Sequence, residues 1–251
     1  MDILGIDIGG SGIKGALVNV DNGEMITERL RIPTPQPASP KAVIKVVKQL
    51  VDHFEYSGPL GVGIPSIVIN GVVLSAANID DRWINYPGRE GIAQATGCPV
   101  TLMNDADVAG FAEMRFGAGR GEDGVVMIFT LGTGIGSCMF VNGQIVPNLE
   151  LGHIYLPRKK HDAEFSASDR ARKEHKLDWK EWAKRLNSYF AYIEALFSPE
   201  LLVIGGGVSK KYEKFAPYLR TRARVVPAQL RNEAGIIGAA AAAVSKEAVS
   251  Q

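Results

Sequence analysis

The sequence predicts an α/β protein built from two related domains. A strand, a glycine-rich turn and a second strand occur at the start of the chain and again after residue 125. Apolar strands alternate with amphipathic helices along much of the remaining sequence. No low-complexity linker separates independent modules. We therefore expect a small domain of residues 1–106, completed by a C-terminal helix over about residues 234–251, and a larger domain of residues 107–233.

Composition and charge restrict the classes of function. A formal net charge of +1 gives no overall attraction to nucleic acid or to a membrane surface, so an anion must bind through a local arrangement of residues. No apolar run reaches the length of a membrane span, and no signal peptide is recognisable. Cys98 and Cys138 lie far apart in the chain, which favours a reducing compartment. We expect a cytoplasmic protein without nucleic-acid or membrane partners.

The first glycine turn has the features of an anion site. Gly9, Gly10 and Gly12 separate two apolar runs. Glycines have no Cβ to block a ligand, and they let successive backbone N–H groups converge on a phosphate. Neither familiar phosphate motif applies, because a strand follows the glycines and no Gly-Lys pair occurs in the chain. The turn is therefore either a phosphate-binding hairpin, with a cation beside it at Asp7, or a purely structural turn.

Apolar spacing and turn residues predict the next elements of the first half. Strands are expected over residues 24–32, 60–64, 71–74 and 99–103, and helices over residues 40–54 and 106–116. Asn104 and Asp105 stand where a strand ends and a helix begins. Because Asp and Asn are strong N-caps, capping is the simplest interpretation of Asp105.

The second half repeats the opening design. A β-branched strand over residues 125–131 runs into the turn Gly132–Gly136, and a further strand is expected over residues 138–141. Residues 178–197 predict a long amphipathic helix with an aromatic core face. A strand over residues 201–204 then runs into a third group of glycines. The recurrence indicates two related domains that face one phosphate chain.

Four stretches together resemble the ROK (repressor, open reading frame and kinase) family of sugar kinases, within the actin and hexokinase superfamily. They are the run from Asp7 to Lys14, the pair Asn104-Asp105, the turn Leu131–Gly136 and the run from Glu150 to His153. The similarity extends over nearly the whole chain. It implies a two-domain actin-like, ribonuclease-H-like α/β fold with mixed sheets and a cleft between the domains.

The same resemblance implies a role for each motif. Asp105 is the expected catalytic residue, and Asp7 is expected to position Mg²⁺ through water. The expected sugar-binding residues are Ser66, Asn78, Asn104, Asp105, Glu150, His153 and Glu164. The expected phosphate-binding residues are Gly9, Gly10, Ser11, Gly12, Lys14, Thr133, Gly134 and Gly136, and the expected nucleotide-side loop contains Gly206, Gly207 and Lys210.

Further motifs, including residues 63–66 and 226–232, are similar to those of a zinc-free branch, the bacterial polyphosphate glucokinases. That similarity implies transfer of a terminal phosphoryl group from inorganic polyphosphate, ATP or both to the 6-hydroxyl of glucose, giving glucose 6-phosphate, by a homodimer. Two alternatives stay open. One is a strictly ATP-dependent hexokinase for glucose, mannose or an N-acetylhexosamine. The other is a non-catalytic sugar-binding regulator, although the family's repressors carry a helix-turn-helix for which Asp7 leaves no room.

Residues 158–176 form a polar stretch rich in Lys, Arg and His. Runs of like charge usually lie in solvent. A polyphosphate donor is a long flexible polyanion, however, and cations beyond the reacting phosphates would add affinity through counterion release. The sequence leaves open which of these two descriptions applies.

Many members of the family hold zinc with the histidine of the Glu150–His153 motif and three cysteines that follow it. No cysteine follows Cys138 here, and thiolates are the ligands that such a site requires. We predict that the purified protein contains no stoichiometric zinc. Element analysis after exhaustive dialysis checks this, and one zinc ion per chain would contradict it.

Overall fold

The computed structural model describes residues 1–77 and 79–245. The chain folds into two compact units. The first consists of Met1–Phe116 and, within the described residues, 233–245, and the second is Gly117–Asn232. The predicted C-terminal helix beyond residue 245 lies outside the described residues. Within the described ranges, no helix has the length and apolar character needed to cross a bilayer.

Strands and helices alternate along both units. The strands are β1 (Asp2–Ile8), β2 (Ile13–Asn19), β3 (Glu24–Met25), β4 (Leu30–Ile32), β5 (Leu60–Ile64), β6 (Val68–Ile69), β7 (Val72–Val73), β8 (Val100–Asn104), β9 (Val125–Leu131), β10 (Ile135–Val141), β11 (Gln144–Val146), β12 (Leu201–Gly205) and β13 (Arg224–Pro227). The helices are α1 (Pro40–His53), α2 (Gly88–Thr96), α3 (Asp105–Phe116), α4 (Ala163–Ala167), α5 (Asp169–Glu174), α6 (Trp179–Phe197) and α7 (Ala234–Ala242).

The main sheets of the two units have the same topology. The first has the order β3-β2-β1-β5-β8, with β4 also paired to β2, and the second has the order β11-β10-β9-β12-β13. In each sheet the glycine hairpin joins an antiparallel pair, and two parallel strands extend the sheet on the other side. The predicted α/β class with mixed sheets is confirmed, and the repeated sequence pattern corresponds to a repeated sheet.

Several predicted elements differ in detail. The strand expected over residues 24–32 is two short strands, because the Thr27 hydroxyl accepts a hydrogen bond from Leu17 N–H at 3.0 Å and replaces a backbone partner there. Helix α2 has no counterpart among the predicted elements, because no side chain caps its N-terminus and the usual start signal is missing.

Small residues set the packing of the first unit. Helix α7 is buried along nearly its whole length and packs against α3, β1 and β5. A Cβ at Gly61 would overlap the carbonyl oxygen of Ala239, and one at Gly238 would overlap that of Val108. The backbones therefore approach more closely than any larger residue permits. Because α3 packs on α7, the first unit continues beyond residue 106 to Phe116.

Helix α6 supplies the core of the second unit. It begins at the N-cap Asp178, whose side chain accepts a hydrogen bond from Glu181 N–H at 2.7 Å. The Glu181 carboxylate in turn accepts a hydrogen bond from Asp178 N–H at 3.2 Å, which completes a capping box. Trp182 and Phe190 are fully buried, as the aromatic spacing predicts. The Trp182 ring packs edge-on against Phe215 at 5.0 Å between centroids. The helix is therefore a structural element of the core.

We predict that Gly61→Ala lowers the free energy of unfolding by about 3 kcal/mol or more, because the added methyl group forces α7 away from β5. Gly15→Ala is the matched control, since a Cβ there meets its neighbours at ordinary contact distances of 3.4–3.5 Å. We expect that control to change stability by under about 1 kcal/mol. Chemical denaturation followed by circular dichroism measures both variants, and equal losses would contradict the packing account.

Candidate active site

The first glycine hairpin is held in shape by bonds to its carbonyl groups. Gly9 N–H donates to the carbonyl oxygen of Gly12 at 3.1 Å, which closes the turn. The Thr34 hydroxyl donates to the carbonyl of Gly9 at 2.5 Å, and the Arg31 guanidinium donates to that of Ser11 at 2.6 Å. Sequence reasoning missed Arg31 and Thr34, since each lies on a separate segment some twenty residues further along the chain.

Asp7 and Lys14 occupy the base of this hairpin as directly opposed cross-strand residues. The Lys14 ammonium lies 3.0 Å from a carboxylate oxygen of Asp7, and both side chains are partly buried. Within the described residues, no three or more His, Cys, Asp or Glu side chains are grouped to hold a metal ion. A lone carboxylate still fits Mg²⁺, which keeps several waters and relies on substrate phosphates for other ligands.

Asn104, not Asp105, caps helix α3. Its side-chain oxygen accepts hydrogen bonds from the N–H groups of Ala106 at 2.8 Å and Asp107 at 3.3 Å, as an N-cap does. The capping interpretation of Asp105 is therefore wrong. Asp105 is the first residue of α3, where the helix dipole favours the ionised carboxylate.

The Asn104 amide also fixes a neighbouring loop. Its nitrogen donates to the carbonyl oxygen of Ser66 at 3.1 Å, so the ends of β5 and β8 are tied together. Ser66 is 2% exposed, and its hydroxyl has no hydrogen-bond partner within residues 1–77 and 79–245. Asn78, another predicted sugar contact, lies outside the described residues.

The second glycine hairpin is anchored to the helices that follow it in the chain. Gly132 N–H donates to the carbonyl oxygen of Gly134 at 3.0 Å, so this turn is also closed, over three residues where the first turn spans four. Ile135 N–H donates to the Glu164 carboxylate at 2.9 Å, and Arg170 N–H donates to the carbonyl of Gly132 at 3.1 Å. The Arg170 guanidinium lies 3.5 Å from Glu164.

The predicted phosphate-binding residues occupy different parts of the two hairpins. Gly10, Ser11 and Thr133 are exposed at the tips, where a ligand has access. Gly136 lies within β10, opposite Thr130 in the ladder. The structure therefore brings each predicted set together within its own hairpin.

Glu150, His153, Asp162 and Glu164 form an ionisable cluster beside the second hairpin. The Nδ1 atom of His153 lies 2.9 Å from the Asp162 carboxylate, and that hydrogen bond raises the pKa of His153. Burial raises the pKa of Glu150. The charge of His153 lowers that pKa and only partly offsets the effect of burial, while the charge of Glu164 raises it further. With Nδ1 held by Asp162, the other ring nitrogen, Nε2, is the one available to a ligand.

Glu164 makes a structural contact besides the sugar contact that the family resemblance implies. Its carboxylate accepts a hydrogen bond from the hairpin and lies against Gly134. Sequence reasoning also missed Asp162 and Arg170. Asp162 does carry a local signal, because it precedes α4 as an N-cap and accepts a hydrogen bond from Phe165 N–H at 2.9 Å.

The third glycine group borders a separate cavity in the second unit. Gly206 has φ of 76° and packs against the backbone of Leu131, where a Cβ has no room. Lys210 lines a cavity of about 630 Å³, together with Arg224 and Arg231. Of these cations, only Lys210 is predicted from sequence, because the other two have no glycine motif beside them.

Fold and hairpins define the class of protein. The same mixed sheet in both units, with a glycine hairpin at the same position in each, is the arrangement of the actin-like, ribonuclease-H-like α/β proteins. The family model of the ROK family matches residues 3–167. The chain belongs to the ROK family, as the sequence resemblance predicted.

Similar proteins cover almost the entire chain. A polyphosphate glucokinase of Mycobacterium tuberculosis is 46% identical over 96% of this chain and 91% of its own length. The crystal structure of an inorganic polyphosphate/ATP-glucomannokinase from Arthrobacter sp. strain KM is 47% identical and covers 95% of this chain and 96% of that one, with a TM-score of 0.88. A ROK family glucokinase from Streptomyces griseus, crystallised with glucose and AMPPNP, is 26% identical over 96% and 98% of the two chains, with a TM-score of 0.80.

We predict that Asp162→Asn lowers the pKa of His153, because the variant removes the carboxylate whose hydrogen bond stabilises the imidazolium. Asn keeps the cap of α4, so the helix should persist. Titration of the imidazole protons by NMR measures the change. His53 on α1 is the internal control, and a His153 titration that matches wild type would contradict this assignment.

Proposed function

We propose that this protein transfers the terminal phosphoryl group of inorganic polyphosphate, or of ATP, to the 6-hydroxyl of glucose. The observation that carries the proposal is the pair of closed glycine hairpins in sheets of identical topology. The named activities of the Mycobacterium and Arthrobacter relatives support it, since both proteins are similar over nearly their whole length.

The hairpins serve the donor phosphates. Phosphoryl transfer needs alignment and charge neutralisation more than covalent chemistry. Backbone N–H groups of the two hairpins, with Thr133 and Lys14 beside them, hold the phosphate oxygens. Asp7 fits as the protein's ligand for Mg²⁺, which when bound neutralises charge on the donor phosphates. Thr34 and Arg31 hold the carbonyl groups of the first hairpin in place, which supports phosphate binding by its N–H groups. A loop that is already rigid presents its N–H groups without further ordering.

Asp105 acts on the acceptor. It orients the sugar hydroxyl and accepts its proton as the phosphoryl group arrives. The Asn104 cap supports the assignment, because it fixes the start of α3 and with it the position of Asp105, the first residue of the helix. The same helix end favours the ionised form, which suits an acceptor of modest basicity. A largely dissociative transition state needs no stronger base.

Hydroxyl recognition is assigned to the remaining polar residues. Asn104, Glu150 and His153 offer fixed donors and acceptors to the sugar. The buried Ser66 hydroxyl, which has no described partner, supports a contact there. We propose that Glu164 links the second hairpin to the sugar. One carboxylate oxygen accepts a hydrogen bond from Ile135 N–H in the hairpin, and the other contacts the sugar.

Donor choice separates the leading proposal from its first alternative. The cavity beside Lys210 supports use of ATP, because it offers room for a nucleoside next to the third glycine group. A coupled assay should cross glucose, mannose and N-acetylglucosamine with long-chain polyphosphate and ATP. We expect glucose phosphorylation with polyphosphate. Turnover with ATP alone would favour the ATP-dependent hexokinase, and absence of turnover with every pair would favour the non-catalytic regulator.

We predict that Asp105→Asn lowers kcat for glucose phosphorylation by about 10³-fold or more, since it removes the proton acceptor from the reacting hydroxyl. The KM for glucose should change far less. Asp52→Asn on α1 is the matched control, because Asp52 is exposed and pairs with Lys48 one turn away on the same helix. Steady-state kinetics measures both variants, and near-normal turnover of the Asp105 variant would exclude Asp105 from the mechanism.

One further property follows from the family resemblance, and another from the cysteines. We propose that the protein acts as a homodimer, which sedimentation equilibrium tests directly. We also propose that it works in the cytoplasm, because Cys98 and Cys138 are buried and form no disulfide bond.

A further inference from the structure

The structure separates the basic stretch of residues 158–176 into groups with different surroundings. The carboxylate of Asp169 pairs with Arg172 at 2.8 Å and with Lys173 at 2.7 Å. The Arg172 guanidinium also stacks over the Trp179 ring, 4.0 Å from its centroid. Arg170 faces Glu164 at the second hairpin. These three cations are therefore already partnered within the protein.

Four other basic residues of the stretch, together with two from α6, line a cavity of about 460 Å³ in the second unit. Its charged and imidazole side chains are Lys159, Lys160, His161, His175, Lys184 and Arg185, and no carboxylate is among its lining residues. In the part of the chain that the structure describes, none of the ion pairs involves its Lys or Arg side chains. Four formal positive charges thus converge without neutralisation, which favours an anionic ligand.

Contacts among the wall residues hold the cavity open. The His161 ring stacks on Phe165 with 4.0 Å between centroids and 30° between planes. Arg185 donates to the carbonyl of Ser166 at 3.1 Å, and the same nitrogen lies 2.8 Å from Nδ1 of His175. Because Arg only donates, that imidazole nitrogen is the acceptor. The guanidinium is therefore fixed at the wall, whereas the exposed lysines can move to meet a ligand.

The short helix α4 connects this cavity to the second glycine hairpin. Glu164 on α4 bonds to the hairpin, and the next two residues, Phe165 and Ser166, line the cavity. An α-helix with its side chains is about 10 Å across, so the hairpin and the cavity are separated by roughly that distance. A long phosphate polymer can extend from one to the other, whereas three linked phosphates are too short to engage both.

We propose that this cavity binds a distal segment of the polyphosphate chain whose end lies at the second hairpin. The inference rests on the proposed function and extends it, because it assigns a second subsite to the polymer alone. Lys159, Lys160 and Lys184 contact successive phosphates, and Arg185 supplies a fixed charge at the wall. The subsite retains the chain between transfers and makes the enzyme favour long polymers over short ones.

The test compares two triple variants of equal charge. Lys159→Gln, Lys160→Gln and Lys184→Gln are combined in one protein. The matched control combines Lys41→Gln, Lys45→Gln and Lys48→Gln on the exposed face of α1. Each is assayed with glucose and long-chain polyphosphate, tripolyphosphate or ATP. The KM for long-chain polyphosphate should rise about tenfold in the cavity variant, since each exposed ion pair contributes a factor of about two to three. The KM values for the two short donors and kcat should stay at wild-type levels.

Salt dependence gives a second readout. The slope of log KM for long-chain polyphosphate against log salt should fall by about two in the cavity variant, at roughly 0.7 per phosphate contact. The control triple variant should keep the wild-type slope. A single Lys184→Glu variant repeats the comparison with a reversed charge and should raise the KM for long-chain polyphosphate selectively.

Four outcomes would overturn the inference. The first three are an unchanged KM for long-chain polyphosphate, an equal rise of that KM in the control variant, and an equal rise of the KM for tripolyphosphate. The fourth is single-stranded RNA that binds as a competitor with an affinity equal to that of polyphosphate and loses affinity by the same factor in the cavity variant. Failure of the proposed function is distinguishable, because it appears as absence of polyphosphate turnover in the wild-type enzyme. Isothermal titration with long-chain polyphosphate then tests the cavity directly in the same variants.

Discussion

The hydrogen bond from Ile135 N–H to Glu164 is the interaction on which the candidate site of the second unit depends. It joins the glycine hairpin of β9 and β10 to α4, and the Arg170 backbone adds a second connection through Gly132. The hairpin, the ionisable cluster around His153 and the basic cavity are consequently parts of one connected structure. A carboxylate that accepts from backbone N–H also gives the turn a fixed shape in the absence of ligand.

In the first unit, close packing holds the hairpin and the candidate site residues in place. Its hairpin is fixed by Thr34 and Arg31, while Gly61 of β5 and Gly238 of α7 let α7 lie directly against the sheet and α3. Asn104 takes the capping role at α3, and Asp105 follows it as the first residue of the helix. The cap therefore fixes the backbone position of the carboxylate that we propose as the proton acceptor.

Much of this could be predicted from sequence because the signals are local. The glycine hairpins, the helix starts at Ser39 and Asp178 and the aromatic face of α6 each depend on residues close together in the chain. Residues that act across long separations could not be found this way. Arg31 at the first hairpin, Asp162 at His153 and Arg170 at Gly132 become functional candidates only when the fold brings them there.

The basic stretch of residues 158–176 also shows what local sequence signals cannot predict. Charge alone suggested a solvated surface or a polyanion site, and the sequence did not distinguish them. Asp169 neutralises part of the stretch, whereas two lysines and two histidines of the same stretch line a cavity with no acidic residue. Residues of α6 complete that cavity from beyond the stretch. Its charge balance is therefore a property of the fold.

Phosphorus NMR of a reaction that contains glucose, magnesium and long-chain polyphosphate tests the central claim most directly. The account predicts that a glucose 6-phosphate resonance grows as phosphate is lost from the polymer, with little free orthophosphate. Orthophosphate as the main product, or phosphate on a different hydroxyl, would contradict the claim that this site transfers phosphoryl groups to the 6-hydroxyl of glucose.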